Sequence, residues 1–96
     1  MTASGHAGFA PAGQDIVCAG ISALCFAAAE YLTQMFEWGK LEQEPVILLE
    51  SGKIQLCCMP KEIALGEAEH VFRMLEIGCR MIAENYPHNV TVADAT

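Results

Sequence analysis

Basic residues are scarce in this sequence: five lysines and arginines stand against twelve aspartates and glutamates, a formal charge of −7 over 96 residues. No basic cluster is present to grip a phosphate backbone, so direct binding of nucleic acid is not expected. A surface of this sign steers basic partners toward it and keeps the protein soluble. The sequence also lacks an apolar run of membrane length. Its longest uncharged apolar stretch, IVCAGISALCFAAA, covers 14 residues from Ile16 to Ala29, whereas a bilayer-spanning helix needs about 20. A secretory leader is not indicated either, because the first 15 residues carry no lysine or arginine and Asp15 stands directly before the apolar run. Paired cysteine spacing is missing as well. Cys18, Cys25, Cys57, Cys58 and Cys79 are odd in number and contain no C-x-x-C, which points away from a disulfide framework or a zinc site and toward reduced thiols in the cytoplasm.

What is plentiful is apolar side chain, at 53 % against 18 % charged. A domain of this length buries only roughly 60 to 65 % of its unfolded surface, so such a composition predicts that part of the apolar surface is hidden by self-association. We read residues 1–96 as one domain that forms a homodimer. From Asp15 to about Trp38 the chain is rich in alanine and leucine and free of proline, with Gly39 as a stop signal, predicting a long helix. Its first half is apolar all round, which suits burial either between a sheet and a partner chain or at a dimer seam, while Glu30, Gln34 and Glu37 mark a wetter face farther on. EPVILLESGKIQLCCMP, Glu44 to Pro60, reads as a hairpin turning at Ser51 and Gly52. Helical spacing returns from about Ala64 to Tyr86, with Val71, Leu75, Gly78 and Ile82 on one stripe and Phe72, Cys79 and Ala83 beside it, before Pro87 stops it. A short last strand through Val90 and Val92 is expected. The pattern is α+β: two long helices packed on a small, mainly antiparallel sheet.

Chemistry concentrates in the first quarter of the chain, GHAGFAPAGQDIVCAGISAL. Cys18 lies about one turn inside the expected start of the first helix, where unpaired N–H groups and the positive end of the macrodipole favour an anion. An ordinary thiol has a pKa of about 8.5, so a nucleophilic cysteine needs a helix head, an imidazolium, or both. His6 can supply the imidazolium if the intervening chain folds back. Gly5, Gly8 and Gly13 make that feasible and let the segment move aside for a peptide. Asp15 is expected at the N-cap, where it fixes the helix start but uses an amide that an oxyanion would otherwise take. Ser22 shares a helix face with Cys18 one turn on and can donate a hydrogen bond toward it, or bond back to its own helix. Each residue also has a plain structural role, so spacing by itself leaves the catalytic pair open.

The same stretch resembles the signature of the bacterial ribosomal-processing cysteine proteases of the Prp family: G-H-A-G, a short variable loop, G-x-D-I-V-C, and a small-residue helix ending in S-A-L. Looser agreement continues to IAENYP. The resemblance implies a cytoplasmic, dimeric cysteine endopeptidase with His6 as general base and Cys18 as nucleophile, needing no metal or organic cofactor. It further implies a basic ribosomal protein of the large subunit as substrate, recognised through an N-terminal extension that is removed during ribosome maturation; some relatives act on phage structural proteins instead. One departure stands out. Relatives carry an extra strand and turn before G-H-A-G, whereas only MTAS precedes it here, so the family's N-terminal strand is expected to be missing or shortened. The rival reading, from a different class, is a dimeric adaptor that binds an extended peptide on its sheet edge and performs no chemistry.

Overall fold

The computed structural model describes residues 1–7, 14–50, 53–85 and 90–95, with side chains over 1–3, 19–50 and 53–85. The elements run β1 (Thr2–Ala7), α1 (Gln14–Glu37), β2 (Val46–Glu50), β3 (Lys53–Cys57), a 3-10 turn (Glu62–Ala64), α2 (Leu65–Asn85) and β4 (Val90–Ala95). The four strands form one sheet in the order β2-β3-β1-β4, and every pairing is antiparallel. The α+β architecture expected from the sequence is the one observed.

Alanine and leucine carry α1 for 24 residues, and its ending has a stereochemical cause. Gly39 adopts φ +74°; its N–H donates to the Phe36 carbonyl at 3.0 Å, and the Lys40 N–H donates to the Met35 carbonyl at 2.9 Å. This pair of bonds caps the last carbonyls around a left-handed residue, as a Schellman ending does. Just beyond it, Leu41 bridges Pro60, and the Glu42 N–H reaches the Met59 carbonyl at 2.7 Å. The β2–β3 hairpin follows, in register from Val46↔Cys57 to Glu50↔Lys53; Ser51 and Gly52, read as its turn, lie outside the described residues. The 3-10 turn leads into α2 through an Ala64 N–H to Lys61 carbonyl bond of 2.9 Å. Tyr86 and Pro87, where the second helix was expected to stop, also lie outside them.

One stripe of α1, namely Ile21, Cys25, Ala28, Ala29, Leu32 and Met35, is buried at the spacing of a single helical face. It meets Ala68 and Leu75 of α2 and Leu56 of β3, and the fully buried side chains at the centre are Leu32, Met35 and Leu56. In β3 the alternation of exposed Lys53 and Gln55 with half-buried Ile54 and buried Leu56 shows which sheet face the helices cover. Glu30 and Glu37 are exposed, as their charge requires.

Two expectations need correcting. Of the expectation that the N-terminal strand is missing or shortened, only the first alternative is ruled out: β1 forms over six residues and is an inner strand, paired with β3 from Thr2↔Cys57 to Gly5↔Ile54 and with β4 from Thr2↔Ala95 to Ala7↔Val90. The physical reason is that a central strand short of apolar side chains can still form when both neighbours satisfy its backbone. At its start the Met1 ammonium donates to the Cys58 carbonyl at 2.8 Å, and the Cys58 N–H returns a bond of 2.9 Å to the Met1 carbonyl. Secondly, the last strand runs the full six residues of Val90–Ala95, longer than Val90 and Val92 alone promised.

Two stability changes are expected. Gly39→Ala meets no neighbour within 4 Å, so its cost is left-handed strain alone, about 1 kcal/mol in urea unfolding; an unchanged midpoint would contradict the helix ending described. Leu32→Ala, at a site with no solvent exposure, should cost about 2 to 5 kcal/mol in the same measurement, and a loss under about 1 kcal/mol would place Leu32 outside the core.

Candidate active site

The site expected from the sequence falls where β1 ends and α1 begins. His6 is the penultimate residue of β1, in register with Thr91 of β4, and Gly5 is paired on both sides, with Ile54 and Val92. The reading of Gly5 and His6 as part of a hinged loop is thereby corrected: their backbone belongs to a sheet ladder, because β3 and β4 both supply partners. Gly8 and Gly13 lie outside the described residues. Only residues 8–13 separate Ala7, the last residue of β1, from Gln14, the first of α1.

Cys18 is the fifth residue of α1, one turn inside it, as expected. It stands one turn before both Ile21, which is buried, and Ser22, which is exposed. A helix starting at Gln14 directs the Cys18 N–H to the Gln14 carbonyl. Its unpaired amides therefore lie among the residues up to Ile16, and the macrodipole rather than the Cys18 amide is what the helix head offers an anion there. Asp15 is the second residue of α1 rather than the residue preceding it, which corrects its expected N-cap position; an acid in the first turn still interacts favourably with the dipole. Two residues past Cys18, the backbone of Gly20 lies against Ile82 of α2.

The other thiols have a different character. Cys25 and Cys58 are buried, Cys57 and Cys79 half-buried, and none of the four is in a disulfide. A hydrogen bond to the Cys79 thiol, with burial added, pushes the Cys25 thiol far above its ordinary range. Burial pushes Cys58 up too, the Met1 ammonium pulling weakly the other way. Cys57 Sγ is 3.0 Å from the Thr2 hydroxyl, across the β1–β3 pair. Adjacent residues 57 and 58 thus serve different surroundings, and among the described residues no group of three His, Cys, Asp or Glu side chains is placed to hold a metal ion.

One polar cluster has no signal in the sequence. Glu67 of α2 accepts a hydrogen bond from the Tyr31 hydroxyl at 2.6 Å and an ion-paired bond from the Lys40 ammonium at 2.8 Å. The Lys40 ammonium holds the Glu67 carboxyl below the usual carboxylate range, with the Tyr31 bond acting in the same direction, and the Glu67 bond raises the Tyr31 phenol. Lys40 also lies 5.2 Å from the Trp38 ring centroid, and Tyr31 meets Trp38 edge-on at 6.3 Å. An apolar groove of about 320 Å³ between the helices, bordered by Leu24, Tyr31, Glu67, His70 and Met74, opens beside this cluster. Tyr31 is thirteen residues along α1 from Cys18, about 20 Å. The cluster ties the far ends of the two helices together and lies apart from the helix head. The partners are scattered through the sequence at no regular spacing, so only the fold brings them together.

The family model described as Cysteine protease Prp matches residues 1–91, which include both β1 and the head of α1. The chain is 30 % identical over 92 residues to the ribosomal processing cysteine protease Prp of Mycoplasma genitalium, covering 96 % of this chain and 84 % of that one. It is 29 % identical over 94 residues to the protein of the same name from Mycoplasma pneumoniae, covering 98 % and 85 %. The crystal structure of the ribosomal processing protease Prp from S. aureus, solved with a substrate peptide, has the same fold, with a TM-score of 0.62 at 24 % identity over 92 % of this chain and 78 % of that one. An adaptor without chemistry is not what this kinship describes. On the match that runs from the first strand nearly to the end of the chain, the protein belongs to the Prp family of ribosomal processing cysteine proteases.

Proposed function

We propose that this protein is a cytoplasmic cysteine endopeptidase that removes the N-terminal extension of a basic large-subunit ribosomal protein, with Cys18 as nucleophile and His6 as general base. The observation that carries the reading is topological: the matched family segment holds both residues, one at the end of β1 and the other in the second turn of α1, with six residues between those elements. A histidine on a paired strand and a cysteine near a helix head are the two supports that a low-pKa thiolate needs.

The reaction then follows ordinary cysteine-protease logic. Cys18 gives its proton to His6; the thiolate adds to the scissile carbonyl; the imidazolium protonates the leaving amine as the C–N bond breaks. Water, deprotonated by His6, attacks the thioester and releases the acid with the free thiol. Exposed Ser22 offers a hydroxyl on the solvent side, one helical turn beyond Cys18 in α1. No step requires a metal or organic cofactor. The charge of −7 favours encounter with a basic substrate protein. Cytoplasmic residence agrees with a cysteine set lacking paired spacing. A homodimer agrees with the exposed apolar side chains of the helices, Phe26 at 61 % and Met74 at 74 % among them.

Two measurements test this. Incubation with an N-terminally extended ribosomal protein of the large subunit, followed by mass spectrometry of the products, should show one cut that leaves the mature protein; Cys18→Ser should lower the rate on the order of 10³-fold or more while retaining binding. Cleavage surviving that substitution would reject the assignment. In a pH series with iodoacetamide, Cys18 should label first, already at about pH 6.5. Cys25 and Cys58, whose raised pKa values keep them neutral thiols, should label last and only as the pH rises into the alkaline range. Equal, slow labelling of all five would contradict a special thiol at position 18.

A further inference from the structure

The two helices run antiparallel, and a glycine stands at two of the places where they meet. A methyl group built on Gly78 of α2 would lie 2.7 Å from Leu24 Cδ1, 3.1 Å from Cδ2 and 3.5 Å from Cγ; one built on Gly20 of α1 would lie 3.1 Å from Ile82 Cδ1. The first spacing is one that packed atoms do not adopt, so a side chain at residue 78 would oblige the Leu24 side chain to shift. The contact lies next to the chemistry: Gly20 is two residues past Cys18, and Leu24 is within two turns of it. On the other side, α2 packs against β4, and β4 pairs with β1 at His6↔Thr91 and Ala7↔Val90. One helix therefore stands against the turn that follows the cysteine and against the strand that pairs with the histidine's strand.

We propose that Gly78, through Leu24, and Ile82, through Gly20, are positioning residues that set the Cys18 turn of α1 against the β1–β4 pair bearing His6. They touch no substrate, and they act by fixing the distance between the two supports of the dyad. This inference rests on the assignment of Cys18 and His6 made above. A methyl at position 78 displaces the Leu24 side chain and with it the α1–α2 packing next to the Cys18 turn, while β4 keeps its place on β1. A displacement of the order of 1 Å between reacting groups costs up to about 10²-fold in rate, whereas a peptide bound over the surface loses little affinity.

The test uses the full chain, the extended ribosomal substrate and iodoacetamide. Gly78→Ala should lower kcat about 10-fold or more with KM nearly unchanged, and should move the pH midpoint of Cys18 alkylation up toward that of an ordinary thiol. Leu24→Ala, which deletes the clashing Cδ1 together with Cδ2 and Cγ, should restore both in the double variant. Loss of folded protein alone would reduce the amount of reactive Cys18 without changing its pH midpoint, so the alkylation profile separates positioning from stability. Should Gly78→Ala not fold, Gly20→Ala, which presses only on the tip of Ile82, should show the same kcat loss and its relief by Ile82→Val. Wild-type kcat and alkylation in a folded Gly78→Ala or Gly20→Ala protein would overturn the inference, as would a defect that its paired substitution leaves unrepaired. Cys18→Ser in the wild-type background reports on the dyad separately: cleavage that survives it sinks the parent reading, whereas an inactive Cys18→Ser beside a fully active Gly78→Ala sinks only this one.

Discussion

The pairing of β1 with strands on both of its sides is the constraint on which the rest of the molecule depends. β1 carries little apolar side chain and two of the motif's small residues, so it contributes little to the core by itself. It forms because β4 pairs it along its whole length and β3 pairs it from Thr2 to Gly5. β3 reaches it through a hairpin locked at its open end by the Leu41–Pro60 bridge and the Met1–Cys58 exchange. β4 reaches it only after the chain has passed through both helices. The strand bearing the candidate base is therefore assembled by long-range contacts, and its position is a property of the whole fold.

The helices supply the complementary constraint. Their buried stripes meet over Leu32, Met35 and Leu56, and the Tyr31–Glu67–Lys40 cluster fastens the far ends. At the near end, glycine replaces side chain at the crossing, which lets α2 approach the head of α1. A protein with few charges and a thin core so arranges rigid elements on both sides of a six-residue connection. The thiols divide along the same lines: Cys25 is raised by its bond to Cys79 and by burial, and Cys58 by burial, while Cys18 lies near the start of α1, where the helix dipole favours an anion.

Much of this was legible in the residues. The helices could be read from alanine-rich composition and 3.6-residue spacing, Gly39 from the need for a left-handed stop, and the hairpin from two β-branched runs around a turn pair. The first strand was not legible, because G-H-A-G carries no alternation of apolar side chains and its glycine reads as loop; what makes it a strand lies some 85 residues away in β4. The same distance explains why the last strand looked shorter than it is. Asp15 was misplaced by two helical positions because glycine and glutamine before it carry weak start signals. The Glu67 cluster depends on helix pairing, which sequence periodicity does not encode. The site motif itself was legible as a resemblance, while spacing by itself left Cys18 and His6 unjoined.

The central claim is that the imidazole on the first strand and the sulfur near the head of the first helix form one reactive unit. The most direct measurement is a crystal structure of the protein trapped with a substrate-derived peptide aldehyde, which forms a hemithioacetal with the attacking sulfur. The account predicts a covalent bond to Cys18 Sγ with a His6 ring nitrogen within hydrogen-bond reach of the sulfur or the adduct oxygen, directly or through one water. An adduct on another cysteine, or a His6 ring turned away with no such link, would contradict it.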